Sequence, residues 1–183
     1  MELQTTPIEG LLLIRPRAFE DDRGSFSETW NQRAFDEATG EEVRFVQANE
    51  SVSQAGVLRG LHFQVPPHAQ GKLVRVVRGS VLDVAVDLRV GSPTFGQHHA
   101  ALLTGENKWQ FYVPPGFAHG FMALEDDTVF HYLCTASYHP DSEQALLWND
   151  PDLGIEWGMK DPKVSPKDAS AQSFAGFQSP FAL

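Results

Sequence analysis

Two histidines, His62 and His119, lie in stretches that otherwise read as strand, Gly60-Leu61-His62-Phe63-Gln64 and Val113-Pro114-Pro115-Gly116-Phe117-Ala118-His119-Gly120-Phe121. An imidazole near neutral pH can take or give a proton, so each is either a satisfied core histidine or an acid–base group. The surrounding charges favour chemistry on an anion. Between Leu58 and Arg78 the chain places Arg59, Lys72, Arg75 and Arg78 with no Asp or Glu, although its formal net charge is -10. This local reversal of sign suits a small anionic ligand. The overall negative charge, without a basic run or zinc-finger spacing, argues against a nucleic-acid partner. The single cysteine, Cys134, cannot close an internal disulfide, and within Val129 to Thr135 it reads as a small buried hydrophobe.

Residues that share chemistry across more than fifty positions must be brought together by a scaffold. Short β-branched or aromatic runs recur between turn residues, at Leu11–Arg15, Leu73–Val77, Val81–Leu88, Gln110–Val113 and Val129–Thr135, which predicts an all-β sandwich or barrel. Alternation is clearest in Val81–Leu88: Leu82, Val84, Val86 and Leu88 form an apolar face, and Val81, Asp83, Ala85 and Asp87 a mixed one. Helix is predicted at Gln32–Ala38, ended by Thr39-Gly40, and around Pro151–Leu153. From about residue 162 onward a Ser-, Pro-, Ala- and Gly-rich tail is expected to wrap the surface as loop. At 183 residues and 42% hydrophobic content, one core over 1–183 is expected. No apolar stretch is long enough for a membrane span, and Met1–Gly10 lacks the pattern of a signal peptide, so the expected location is the cytoplasm.

The two histidine segments resemble the paired motifs of the cupin superfamily, whose fold is a double-stranded β-helix of jelly-roll type. Metal-binding cupins carry His-x-His and Glu in the first motif and His in the second. Here Gln64 replaces the second His and Gln70 falls near the Glu position, and neutral amides are weak ligands for transition metals, so no metal and no cofactor is expected. The resemblance then narrows. Asp22-Arg23-Gly24-Ser25-Phe26, Phe45 to Ser51, Leu58-Arg59-Gly60-Leu61-His62-Phe63-Gln64, Gln70-Gly71-Lys72-Leu73-Val74, Gly116 to Phe121 and the pair Tyr132 and Tyr138 are similar to the dTDP-4-dehydrorhamnose 3,5-epimerase family, from about Ile8 to Asp168.

That resemblance implies epimerisation of dTDP-4-keto-6-deoxyglucose at C3 and C5, the carbons flanking the C4 carbonyl, through enolates. It implies His62 as base, Asp168 as the carboxylate orienting it, Tyr132 as acid on the opposite face, and Lys72 beside the keto oxygen. His119 and Arg59 match other pocket residues, and Arg59 with Arg23 suits the diphosphate. Phe19, Phe26 and Tyr138 match positions associated with the nucleotide, and Gln47, Asn49 and Glu28 are candidate polar contacts. A homodimer, with an N-terminal segment reaching into the partner subunit, is implied as well. A mono-epimerase at C3 or C5, a related keto-sugar isomerase, a metal-dependent cupin and a non-catalytic sugar-binding cupin remain as alternatives.

Overall fold

The β-branched and aromatic runs pair into two facing antiparallel sheets. The computed structural model describes residues 1–183, with strands β1 (Glu2–Thr5), β2 (Leu12–Arg15), β3 (Ala18–Asp21) and β4 (Gly24–Ser27) followed by helix α1 (Gln32–Thr39). Next come β5 (Gln47–Ser53), β6 (Leu58–Gln64), β7 (Lys72–Arg78), β8 (Ser80–Asp87), β9 (Arg89–Val90), β10 (His98–Thr104), β11 (Gln110–Val113), β12 (Phe117–Ala123) and β13 (Thr128–Cys134). The chain closes with β14 (Glu143–Ala145), helix α2 (Pro166–Ala169) and β15 (Phe181–Ala182). One sheet has the order β1-β2-β11-β7-β13-β5 and the other β10-β8-β12-β6-β14.

The space between the sheets is filled from both sides. Val74, Val76, Phe111, Val113 and Phe130 of the first sheet meet Val81, Ala85, Leu103, Phe117 and Phe121 of the second. A fully buried Phe such as Phe111 or Phe130 gains about 1.5–3 kcal/mol over an exposed one, so this layer is the main driving force. Each sheet is also covered on its outer face. Phe35 of α1 packs with Ile14, Leu73 and Tyr112 on the first. Leu146, Leu153, Trp157 and Phe181 pack on Leu58, Val84, Val86 and Leu88 of the second.

The alternation in Val81–Leu88 holds, but the mixed face is the inner one. Asp83 and Asp87 are both 0% exposed, and the apolar face lies under the C-terminal tail. Asp87 is satisfied by Arg89, Ser92 and Thr94, which tie the turn after β8 to the strand it leaves. Helix α1 forms where expected, with Asn31 Oδ1 accepting from the Ala34 amide and Gly40 at φ 74° closing the end. Pro151–Leu153 is turn instead of helix, because Asp150 draws the following backbone into a tight local loop through its carboxylate and carbonyl. The tail is not loop throughout: Ser165 caps α2, and β15 pairs in parallel with β9.

Candidate active site

A bulge in β6 builds one wall of the site. His119 of β12 pairs with His62, and Phe121 pairs with Arg59, so two residue steps on β12 match three on β6. The extra residue reverses the strand's alternation, and Arg59 and His62 both line the same cavity of about 470 Å³. Gly60 makes the bend possible. It sits at φ +141°, and a Cβ there would lie 2.5 Å from the Cα of Gly120. No residue with a side chain fits that approach without moving one strand off the other.

His62 is held from the tail. Its Nε2 lies 2.6 Å from Asp168 Oδ1, while no protein group bonds Nδ1 on the other side of the ring. Asp168 arrives there because Lys163 exchanges backbone bonds with Gly56 and Leu58 at the start of β6, after which Ser165-Pro166 turns the chain into α2. Burial alone would raise the Asp168 carboxyl, but the His62 hydrogen bond and charge, with the Gly60 amide and Ser165, hold it below the ordinary carboxylate value. With Nε2–H donating to a buried carboxylate, the Nδ1 lone pair is left available as a base, and the imidazolium formed on proton uptake has a counter-charge.

The opposite wall comes from the other sheet. Lys72, Phe130 and Tyr132 face the cavity from β7 and β13. Burial raises the Tyr132 phenol, with Cys134 and Glu143 adding to the shift and Arg59 opposing it, so the hydroxyl keeps its proton well above neutral pH. Its oxygen has no protein hydrogen-bond partner. Burial pushes the Lys72 ammonium below its ordinary value against Cys134, Asp83 and Glu143, and Lys72 takes part in none of the chain's ion pairs. His119 is 6% exposed and bonds Asp83 Oδ1 at 2.9 Å. Burial lowers its imidazole more than Asp83 raises it, and Lys72 and His62 push the same way as burial. Phe121 and Phe130 stack at 4.0 Å and give the cavity an apolar surface.

A second hollow of about 300 Å³ shares His62, Lys72 and Tyr132 with the first and adds Gln47, Asn49 and Tyr138. Gln47 and Asn49 are next to the site because they pair with Cys134 and Tyr132 across β5 and β13. Glu143 lines both spaces and accepts from Tyr138 Oη and Lys167 Nζ. Burial would raise its carboxyl, and those two partners bring it below the ordinary value. The amides that stand in place of cupin metal ligands are committed to backbone. Gln64 donates to the carbonyls of His68 and Ser137 and accepts from the His139 amide, and Gln70 donates to Ala136.

Nine of the thirteen residues singled out from sequence meet around these two hollows: Arg59, His62, Lys72, His119, Tyr132 and Asp168 in the larger, and Gln47, Asn49 and Tyr138 in the smaller. The other four do not. Phe19, Arg23 and Phe26 lie on the β3–β4 hairpin and Glu28 just beyond it, all exposed and none lining the cavity of their own chain. Arg23 there pairs with Asp21, and Arg17 lies 4.7 Å over the Phe19 ring. Glu143, Lys167 and Asp83 were missed. Asp83 had a signal, its place on the mixed face of Val81–Leu88, whereas Glu143 and Lys167 sit in a three-residue strand and a four-residue helix, too short to show a periodicity.

A group lodged in the larger cavity has a base held by a carboxylate, a protonated phenol, and a half-buried ammonium within one enclosure, which is the equipment for moving protons on a carbon acid. The fold and this cavity define an isomerase-type cupin, a double-stranded β-helix with ionisable groups gathered around the hollow between its sheets. The chain belongs to the dTDP-4-dehydrorhamnose 3,5-epimerase family, whose model matches residues 5–176. It is 51% identical over 176 residues to the dTDP-4-dehydrorhamnose 3,5-epimerase of Pseudomonas aeruginosa, covering 96% of this chain and 97% of that one. Among solved structures, the dTDP-6-deoxy-D-glucose-3,5-epimerase of Legionella pneumophila in complex with dTDP-4-keto-L-rhamnose superposes with a TM-score of 0.95 at 46% identity, covering 100% of this chain and 98% of the other. A 3'-monoepimerase from Streptomyces bikiniensis in complex with dTDP-quinovose superposes with a TM-score of 0.88 at 37% identity, over 93% and 86% of the two chains.

Proposed function

We propose that this chain is a dTDP-4-dehydrorhamnose 3,5-epimerase, inverting C3 and C5 of dTDP-4-keto-6-deoxyglucose on the route to dTDP-L-rhamnose. The observation that carries the reading is the pairing of a carboxylate-held His62 with an unbonded Tyr132 hydroxyl around one cavity. His62 removes the proton from the carbon next to the C4 carbonyl, Asp168 stabilises the imidazolium, and Tyr132 returns a proton from the other face. Lys72 stabilises the enolate oxygen, with Arg59 and His119 completing the sugar pocket. Gln47, Asn49 and Tyr138, in the smaller hollow, contact the nucleotide. The reaction uses no metal and no cofactor. Incubation with dTDP-4-keto-6-deoxyglucose in deuterated water, followed by NMR, is expected to place deuterium at both C3 and C5. No deuterium at either carbon refutes the reading. Deuterium at one carbon supports the second reading, a mono-epimerase, which the similarity to the 3'-monoepimerase of Streptomyces bikiniensis favours.

The chain works as one unit over 1–183 and as a homodimer, in which Phe19, Arg23, Phe26 and Glu28 complete the partner's nucleotide site. The exposure of the two hairpin phenylalanines, 52% and 69%, supports this reading. Mixing His62→Ala with Phe26→Asp is expected to restore about a quarter of wild-type activity, since half the pairs are mixed and each holds one intact site. No recovery overturns the shared-site arrangement. The cytoplasm is the proposed location; no helix is long and apolar enough to cross a membrane.

A further inference from the structure

Lys72 stands between the sheets with no ion-pair partner, and three acidic groups act to keep it charged: Cys134, Asp83 and Glu143. They are not equivalent. Cys134 lies directly across the β7–β13 ladder, but burial pushes its thiol upward, so it carries no charge near neutral pH. Glu143 already holds Lys167 and Tyr138 on one oxygen. Asp83 is different. It is 0% exposed, its Oδ1 takes His119 Nε2, and its Oδ2 is buried with no hydrogen-bond partner at all.

A carboxylate oxygen shut away from water and unpaired is costly, and it persists where its charge has a use. The remaining groups around Lys72 offer no substitute. His62, His119 and Tyr132 are neutral or cationic, Arg59 is cationic, and Asp168 is engaged by His62. Asp83 shares the inner face of β8 with Val81 and Ala85, Lys72 shares the inner face of β7 with Val74 and Val76, and His119, which Asp83 holds, lines the same cavity as Lys72.

Resting on the epimerase reading above, we propose that Asp83 is a positioning residue for this reaction, orienting His119 through Oδ1 and serving through its unpartnered Oδ2 as the counter-charge that keeps Lys72 an ammonium. Without it, burial acts on Lys72 opposed only by a neutral thiol and an already neutralised carboxylate. The ammonium then loses its proton at lower pH, and the enolate loses its cation as the pH rises.

The test is Asp83→Asn, with Asp83→Ser if the amide does not fold, and Asp83→Glu as the charge-keeping control. In the substrate-free protein, the ε-carbon resonance of Lys72, assigned through Lys72→Arg, is followed against pH by 13C NMR. Its midpoint is expected to fall by about one pH unit or more in Asp83→Asn and to stay near wild type in Asp83→Glu. With dTDP-4-keto-6-deoxyglucose, the alkaline limb of kcat is expected to move down by the same amount, with kcat at neutral pH reduced roughly tenfold or more and KM changed little. A Lys72 midpoint and an alkaline limb that both stay in place overturn the proposal, even if activity is lost, because a purely structural role would lower kcat at every pH. A wild-type chain that exchanges no deuterium would overturn the epimerase reading, while the NMR titration would still decide the link between Asp83 and Lys72.

Discussion

Replacing Asp168 by Asn removes one charge and keeps the shape of the side chain. The carboxylate and the His62 ring are 2.6 Å apart, and the carboxylate side chain is 3% exposed against 31% for His62. Two unit charges about 4 Å apart at an effective dielectric of about 20 attract by about 4 kcal/mol. The open side of His62 lets water screen part of this, which leaves about 2–3 kcal/mol of imidazolium stabilisation, or about 30- to 150-fold in rate. The amide also has no good orientation: it either turns its NH2 toward the Gly60 amide, donor against donor, or turns it toward His62 and spoils the tautomer. Single-turnover deuterium exchange at C3 and C5 is the assay, with a thermal melt alongside. The expected result is a fall in exchange of that size with KM within about threefold, since Asp168 acts on the proton acceptor while binding is spread over the pocket. Exchange within threefold of wild type would falsify the assignment of Asp168 as the group that supports the base.

Tyr132→Phe deletes only the hydroxyl of a residue that bonds nothing else, so folding should be unaffected and inversion should fall by about a hundredfold. Deuterium should still enter the substrate with retained configuration, because His62 can return what it removes, and unchanged product formation would rule the phenol out as acid. Gly60→Ala sets a methyl group 2.5 Å from Gly120 Cα at φ +141° and should cost about 3 kcal/mol or more, read as a lowered Tm together with lost activity. Asp87 is buried, and the Arg89, Ser92 and Thr94 bonds overcome that burial to bring its carboxyl down to about 2. A group lowered on folding adds stability above its unfolded value and loses it as pH falls, so roughly 2 kcal/mol should disappear between about pH 4 and pH 2 and be absent at every pH in Asp87→Asn. Denaturant midpoints against pH measure both.

Much of this was legible from residue order. Val129–Thr135 and Val81–Leu88 announced themselves through β-branched runs, and α1 through its Thr39-Gly40 ending, because those signals are local. The site residues around the cavity came from the resemblance to the epimerase family, and the chain delivers them as strand neighbours: Tyr132 beside Asn49, His119 beside His62. What could not be read were facts about distance in space. Which face of β8 turns inward is one of them, because alternation reports two sides without saying which has water. The third residue step in β6 depends on β12, sixty positions later. The four residues in and just after the β3–β4 hairpin rest on the family resemblance and on residue type, and nothing in their sequence tells which body they lie against.

The base of this site is supported by a side chain that leaves the ribosome long after the strand it serves. The strands that carry Arg59, His62, Lys72, His119 and Tyr132 have all been synthesised by Cys134, yet His62 waits another thirty-four residues for its carboxylate. A nascent or clipped polypeptide could therefore close its sheets and still be a poor proton acceptor. Competence is conferred late, when the tail settles over the outer face of β8 and β6 and threads Asp168 into place, so turnover reports on the integrity of nearly the whole chain.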